Sequence, residues 1–219
     1  YFEPSLVQNA ENQVLSMKLK VANERYLEYR YELKPDDYML DFAMRSQGLN
    51  TVINTSQALN LNWDLKSFRN EKSYYAENMY TWYYFKSEDD VDYLSKDDDE
   101  TEQNLDWVAY KQHFFTAILK TDTSFSSAKI SSKDLVEDED IDTVYARQFT
   151  LSAPLNMSSG ELNYAMNMYY GPSDYKILKQ YKGSDLDESV DLGWGIFGFI
   201  NRIIFVPVFS FLSSFIGTY

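Results

Sequence analysis

Residues 27–44 read LEYRYELKPDDYMLDFAM, and this stretch decides the fold class. Apolar and polar side chains alternate on both sides of a central KPDD. The apolar members are Leu27, Tyr29, Tyr31 and Leu33 before it, and Tyr38, Leu40, Phe42 and Met44 after it. A period of two is typical of a half-buried strand, and Pro and Asp between two such runs favour a turn. The stretch therefore predicts an antiparallel hairpin.

The same alternation recurs along most of the chain, in residues 15–21, 59–65, 80–84 and 162–170. No helical pattern of ten or more residues interrupts these runs, so parallel β–α–β units are not expected. We therefore predict a mainly β protein, folded as an antiparallel twisted β-sandwich followed by short C-terminal α-helices.

The composition excludes several classes of function. A net charge of -14 over 219 residues is unsuited to nucleic acid, because phosphate binding needs clustered Lys and Arg. The absence of cysteine excludes disulfides, thiolate nucleophiles and zinc–thiolate sites. The 19 tyrosines fit pleated strand surfaces, with a ligand-binding aromatic platform as the alternative.

Two acidic segments are expected to interrupt the sheet as solvated surface loops. They are residues 87–102, which contain DDDE at 97–100, and residues 131–142, which contain EDED at 137–140. Calcium binding is the alternative, since clustered carboxylates supply oxygen ligands. Neither segment has the acid spacing and central Gly of an EF-hand loop.

No catalytic, cofactor-binding or metal-binding residue is predicted. The chain has one histidine, His113, so a site with several His ligands is impossible, and no GxSxG motif or Gly-rich phosphate loop is present. The 34 acidic residues single out no catalytic pair. The sequence indicates that the chain is not an enzyme and that His113 is structural.

The last 28 residues, LGWGIFGFINRIIFVPVFSFLSSFIGTY, contain a single charge at Arg202. Before them, Ser173 is expected to cap a helix that ends at Gly183, and residues 184–191 form a polar link. The predicted divisions are a sandwich body at 1–170, a capping helix and link at 171–190, and a membrane-associated tail at 191–219.

A helix over residues 193–205 places its apolar side chains on one face, with Gly195, Gly198, Asn201 and Arg202 on the other. This pattern predicts an amphipathic helix at a membrane interface, which Pro207 would end or kink. Residues 208–219 resemble the start of a membrane span, and a core helix of the domain is the alternative. The predicted interface residues are Trp194, Phe197, Ile200, Ile203 and Ile204.

Four motifs in order resemble the YidC family of membrane protein insertases. The segment WVAYKQHFF at 107–115 is similar to the family's W-V-A-x-x-Q-x-[FY]-F. Tyr170-Gly171-Pro172 is similar to its strand-to-helix junction, residues 190–194 (VDLGW) to its approach to the membrane, and the hairpin at 31–44 to one in the same domain. The residues that carry this resemblance and are expected to be structural are Trp107, Gln112, Phe115, Gly171, Pro172 and Gly193.

The resemblance implies a mutarotase-like supersandwich on the periplasmic side of the bacterial inner membrane. It implies a domain of an insertase and chaperone that inserts and folds membrane proteins, alone or with the Sec translocon, without a cofactor. The implied partners are the lipid bilayer through the tail, nascent membrane proteins and Sec components. The family's intramembrane groove lies in later spans, and early strands are expected to precede these residues.

Two other functions remain open from the residues alone. A carbohydrate- or ligand-binding β-sandwich of the cell envelope would use Tyr and Trp as platforms. A plain envelope scaffold would need no apolar tail.

Overall fold

The structure, a computed structural model, describes residues 1–50, 52, 54, 59–95, 97–157, 160–193 and 196–215. Of residues 196 and 197 it describes the backbone only. The chain forms two compact units, residues 1–173 and 174–219, and each is described by itself below.

In the part of the first unit that the structure describes, the chain forms eleven strands and one short helix. The strands are β1 (Glu3–Asn9), β2 (Asn12–Ala22), β3 (Arg25–Leu33), β4 (Met39–Gln47), β5 (Leu59–Phe68), β6 (Trp82–Ser87), β7 (Asp90–Leu94), β8 (Asp98–Lys111), β9 (Phe115–Asp134), β10 (Tyr145–Leu155) and β11 (Asn163–Pro172). Helix α1 (Tyr74–Tyr80) lies between β5 and β6.

The strands pair antiparallel in the order β1-β2-β3-β4-β11-β9-β8-β6-β7, and β10 and β5 branch from β9. Strand β9 belongs to both parts of this sheet. Its residues 115–121 pair with β11, and its residues 129–134 pair with β10. Strand β8 accompanies it from Asp98 opposite Ser132 to Lys111 opposite Thr116. The predicted mainly β, antiparallel fold is confirmed.

The core lies between the two parts of the sheet. Strands β5 and β8 do not pair, yet the Trp63 ring stacks on Tyr110 with centroids 4.3 Å apart. The Tyr110 hydroxyl donates a hydrogen bond of 2.6 Å to the Trp63 carbonyl. Phe149 of β10 stacks on the same tyrosine at 5.3 Å. Apolar side chains from alternate positions of both layers therefore form one hydrophobic core.

The hairpin predicted from residues 27–44 is confirmed as β3 and β4. Tyr31 lies opposite Phe42 and Leu33 opposite Leu40, with the Tyr31 and Phe42 rings stacked at 4.8 Å. In the turn, a carboxylate oxygen of Asp37 accepts the N–H of Met39 at 2.9 Å. The alternating pattern and the turn residues thus favour the same local structure.

The acidic segments do not interrupt the sheet as expected. Residues 90–94 form β7, residues 98–102 begin β8, and residues 131–134 end β9. Pairing explains the difference: Asp98 and Glu100 lie opposite Ser132 and Ile130, so their backbones are hydrogen-bonded while Asp98, Asp99 and Glu100 are exposed. In the described residues of these segments, Glu88 and Asp89 form a turn between β6 and β7, and Ser95 and Asp97 lie between β7 and β8. Residues 135–144, which contain EDED at 137–140, form the expected loop.

Tyr80 ends helix α1 instead of joining the strand predicted at 80–84, which begins at Trp82. The Ser73 side chain caps this helix by accepting the N–H of Ala76. The buried carboxylate of Glu77 accepts the N–H groups of Asn70 and Glu71 at 2.7 and 2.6 Å. These hydrogen bonds stabilise a helical turn that alternation alone does not reveal.

The second unit is helical. It contains α2 (Tyr175–Leu178), a 3₁₀ turn (Leu186–Ser189), α3 (Ile196–Ile200), a π-helical turn (Asn201–Phe205) and α4 (Val206–Phe215). The cap of α2 is Asp174, not Ser173: its carboxylate accepts the N–H groups of Lys176 and Ile177, and the helix ends at Leu178, well before Gly183.

Pro207 does not end the C-terminal helix. The helical run continues from Ile196 to Phe215, and the five residues before Val206 form the π-helical turn. Proline lacks the N–H that would bond four residues back, and a π turn is one way in which a helix accommodates such an interruption.

Candidate functional site

The helical run from Ile196 to Phe215 exposes apolar side chains along its length. Its residues Gly198–Phe215 are long and apolar enough to cross a membrane, and none of these 18 is buried. Consecutive positions are exposed, as at Ile203, Ile204 and Phe205. A helix that is apolar on all sides is typical of a hydrocarbon environment or a protein core. The exposed large side chains are Phe199, Ile203, Ile204, Phe205, Val208, Phe209, Phe211, Leu212 and Phe215.

Four of the five predicted interface residues lie in the first half of this run. Ile200 is half-buried, and Ile203 and Ile204 are 54% and 52% exposed. Phe197 lies in α3, but its side chain is outside the description. Trp194 lies outside the described residues. The structure therefore places three of the five side chains, and two of them are open to solvent.

Residues 191–193 form a tight link before the helical run. Gly193 has a φ of +96°, and its N–H donates to a carboxylate oxygen of Asp191 at 2.7 Å. The side-chain amide of Asn201 donates to the Leu192 carbonyl at 2.6 Å. A left-handed φ favours glycine, so the identity of Gly193 follows from this backbone conformation.

Arg202, the single charge of the tail, lies beside Tyr175 of α2. Its guanidinium carbon is 5.6 Å from the centre of the tyrosine ring. The Lys179 ammonium lies 4.7 Å from the same centre and donates to the Tyr175 hydroxyl. Two cations therefore contact one aromatic ring within the second unit.

Two of the motifs that carry the family resemblance meet at the end of the sandwich. Phe115 begins β9 opposite Pro172, the last residue of β11, and Thr116 lies opposite Gly171. The N–H of Gln112 donates to the Phe115 carbonyl at 2.9 Å and closes the turn between β8 and β9. The N–H of Ser173 donates to the Phe114 carbonyl at 2.8 Å. The turn thus holds the point at which the chain leaves the sheet.

Close packing at this junction explains why residue 171 is glycine, and a hydrogen bond holds the next residue, Pro172. A Cβ added at Gly171 would lie 2.8 Å from atoms of both Tyr169 and Tyr38. The Tyr169 hydroxyl donates to the Pro172 carbonyl at 2.7 Å. Trp107 of the other motif is 1% exposed, whereas Phe115 is 64% exposed.

His113 is held by packing and by one carboxylate. Its ring stacks on Tyr80 at 4.1 Å and on Phe114 at 4.0 Å. Its Nδ1 lies 2.8 Å from a carboxylate oxygen of Glu71. Through these contacts the His113 ring connects helix α1 to the turn between β8 and β9.

A buried arginine is the most prominent feature that sequence reasoning missed. Arg147 is 2% exposed and donates to Asn78 at 2.8 Å and to Ser132 at 2.9 Å. Its Nη1 lies 3.3 Å from a carboxylate oxygen of Asp97, and its Nη2 lies 3.8 Å from one of Asp134.

Helix α1 also reaches this network through Tyr74, whose hydroxyl bonds to Asp134. Burial, followed by the hydrogen bond to Asp134, raises the pKa of the Tyr74 phenol. Arg147 is in phase with the buried Phe149 and Leu151 of β10 and follows a register shift after Tyr145, so a charged residue at an apolar position was the one signal that the sequence offered.

The two alternative sites find little geometric support. In the part of the chain that the structure describes, no three His, Asp or Glu side chains are placed to hold a metal. Of the tryptophans in that part, Trp63 stacks on Tyr110, Trp82 stacks on Tyr93 at 4.8 Å, and Trp107 is buried. These rings are engaged within the sandwich and do not form an open platform for a sugar.

Comparison with known sequences identifies close likenesses over the whole chain. A family described as YidC periplasmic domain matches residues 3–207. A membrane protein insertase YidC from Parabacteroides distasonis is 33% identical over 231 residues, which cover 100% of this chain and 36% of the relative. Its counterpart from Porphyromonas gingivalis strain W83 is 34% identical, with the same coverage. The chain therefore spans about a third of the length of these relatives.

Solved structures offer only weak likenesses. Heparan sulfate lyase HepC from Pedobacter heparinus has a TM-score of 0.40 at 9% identity, over 78% of this chain and 22% of that chain. A putative aldose 1-epimerase from Escherichia coli K12 has a TM-score of 0.37 at 10% identity, over 78% and 69%. Likenesses of this size carry no argument about this chain.

Proposed function

This chain belongs to the family of YidC periplasmic domains, and from that premise we propose that it is the extracytoplasmic domain of a membrane protein insertase in the bacterial inner membrane. The relatives that it matches along its whole length are named membrane protein insertases. The single structural observation that carries the proposal is the unburied apolar helix Gly198–Phe215, which follows an independently compact β unit. In water such a helix is costly to expose, whereas in lipid it is stable.

Each proposed segment has its own role. Residues 1–170 form the body that docks nascent membrane proteins and components of the Sec translocon, and residues 171–190 link that body to the tail. Residues 191–219 lie at the membrane interface and begin a span, with Trp194, Phe197, Ile200, Ile203 and Ile204 in contact with lipid. Insertion itself takes place in the rest of the protein.

The domain acts without catalysis and without a cofactor. Two observations support this part of the proposal: His113 is stacked between two rings and bonded to Glu71, and the relatives are named insertases. A carbohydrate-binding role is not favoured, because the described Trp rings are engaged in packing and the relatives point elsewhere.

The proposal is tested by placing two carboxylates in the tail of the full-length protein. Ile203→Asp with Ile204→Asp should abolish growth of a strain depleted of its own insertase. Each charge opposes membrane insertion by about 2.5 to 3.5 kcal/mol at a helix centre and by less near the headgroups. Growth and the amount of protein in the membrane fraction are the measurements.

A matched control uses two exposed apolar residues of the first unit, Ile141 and Val144, which are 75% and 55% exposed. Replacing both by Asp introduces the same charge on the loop before β10 and should leave growth unchanged. Wild-type growth with the Ile203 and Ile204 replacements would contradict the proposed membrane contact.

A further inference from the structure

Two cations share the ring of Tyr175 at the base of the apolar helix. The Lys179 ammonium and the Arg202 guanidinium lie 4.7 and 5.6 Å from the ring centre, and Lys179 also donates to the Tyr175 hydroxyl. Both cations are exposed, while the tyrosine is buried. Because both distances are measured from one ring centre, the two positive groups lie within about 10 Å of each other.

No carboxylate neutralises this pair among the residues that the structure describes, where neither cation takes part in an ion pair. Of the acids in this unit, Asp174 accepts the N–H groups of Lys176 and Ile177, and Asp191 accepts that of Gly193. Asp187 and Glu188 lie in the 3₁₀ turn. Two positive charges within about 10 Å of each other repel, and an anion bound near both relieves that repulsion, so the arrangement attracts a negatively charged ligand.

The position of Arg202 along the helix indicates which anion. It lies six residues after the start of the helical run at Ile196, and thirteen residues follow it to Phe215. At 1.5 Å per residue, about 20 Å of apolar helix extends beyond the guanidinium. A bilayer core is about 30 Å thick, so an arginine at one end of such a stretch lies near the lipid headgroups. The phosphates of phospholipids are found at this depth.

The geometry points to a phospholipid-phosphate site formed by Lys179, Tyr175 and Arg202, with phosphatidylglycerol as its ligand. Guanidinium offers a planar pair of donors that matches phosphate oxygens, and the ammonium adds a second charge. Bound there, the headgroup fixes the depth at which the helix enters the bilayer. This inference rests on the proposed function, because it requires the helix to lie in a membrane.

Two double variants of the full chain test the site in vesicles of phosphatidylethanolamine and phosphatidylglycerol. Lys179→Gln with Arg202→Gln removes the two cations that contact the ring. Lys176→Gln with Lys182→Gln removes the same charge from neighbouring positions that do not contact it. After extraction in detergent, mass spectrometry of the intact protein measures the retained phosphatidylglycerol. Retention should fall several-fold in the first variant and stay at the wild-type level in the second.

An equal loss of phosphatidylglycerol in both variants would show diffuse electrostatic attraction and overturn the site. Unchanged retention in both variants would also overturn it. Excess inorganic phosphate during extraction separates the two sources of phosphate. Retained lipid supports a headgroup site, and displaced lipid shows a site for free phosphate instead. Flotation of each variant with the vesicles reports separately on the proposed function. A variant that floats but loses lipid leaves that function intact, whereas a wild-type chain that fails to float contradicts it.

Discussion

At Gly171 the last strand of the sandwich passes close to two tyrosine rings. A methyl group at this position would lie 2.8 Å from atoms of Tyr169 and Tyr38, which is closer than van der Waals contact allows. Both rings belong to the junction, since the Tyr170 N–H donates to the Tyr38 carbonyl and the Tyr169 hydroxyl to Pro172. The junction therefore has little freedom to make room.

We predict that Gly171→Ala lowers the free energy of unfolding by about 1 to 3 kcal/mol, as for overpacked positions. Gly183→Ala is the comparison, because its added methyl group meets no atom within 4 Å and its cost comes only from a φ of +77°. That cost should be about 1 kcal/mol. Urea denaturation followed by circular dichroism measures both, and a smaller loss at Gly171 than at Gly183 would contradict the packing argument.

Arg147 contributes to stability by connecting helix α1 and two strands through one buried side chain. Arg147→Met should cost about 3 kcal/mol, because it leaves Asp97 and Asp134 without their cation and Asn78 without its donor. The same substitution at Arg30, whose pair with Glu32 is only partly buried, should cost less, about 1 kcal/mol. Thermal unfolding of both variants is the measurement. Equal losses of stability would show that the buried position of Arg147 adds nothing to its contribution.

At the scale of elements, the start of β8 shows how pairing overrides composition. Residues 98–102 are almost entirely acidic, yet they form a strand because β9 supplies neutral or basic partners opposite them. The like charges still have a cost. The Glu100 side chain is exposed, but the loss of part of its hydration against the sheet, followed by the nearby Asp98 and Glu102, raises the pKa of its carboxyl above the ordinary value of 4.5.

The direction of this shift predicts how stability depends on pH. A carboxyl with a raised pKa in the folded state costs nothing below pH 4.5, where it is protonated in both states. Its cost grows as pH rises through 4.5 and is complete above the folded pKa. Glu100→Gln should therefore raise the free energy of unfolding at neutral pH by no more than about 0.5 kcal/mol, with a corresponding small rise in melting temperature. Below pH 4.5 the melting temperature should stay unchanged.

The corresponding change at Glu11, an exposed carboxylate in the turn between β1 and β2, is the control. Melting curves recorded across pH compare the two variants with the wild type. A rise in melting temperature for Glu100→Gln that persists below pH 4.5 would contradict the argument from the pKa of Glu100. An equal rise for Glu11→Gln would show that the effect is not specific to the charges near Glu100.

At the scale of the whole molecule, the β unit and the helical unit differ in what stabilises them. The first has a contiguous core built from both layers of the sheet, whereas Gly198–Phe215 contains no buried residue. Deleting residues 193–219 should therefore leave the β-type circular dichroism and its cooperative melting in place while raising solubility in detergent-free buffer. A cooperative loss of the β signal would show that the tail belongs to the core.

Local patterns were sufficient to predict much of the fold. Alternation specifies which face of a strand is buried, and turn residues such as those at 34–37 specify where a strand reverses. Both depend only on near neighbours in the chain, so β2 to β5 and β11 could be anticipated from the sequence. The apolar tail was equally clear in the sequence, because a run of this length with a single charge has few stable environments. The motifs around Trp107, Gly171 and Gly193 were sufficient to suggest the family.

Only the tertiary structure decided which distant residues meet. Strand β9 pairs with strands of both layers, and Arg147 contacts Asp97 and Asn78. Arg202 and Lys179 both lie beside the ring of Tyr175. The acidic start of β8 and the helical Tyr80 were misjudged for the same reason. Their structure depends on a partner strand in one case and on the buried Glu77 carboxylate in the other. Contacts between residues far apart in sequence leave no periodic trace in either segment, because each is set by the geometry of the folded chain.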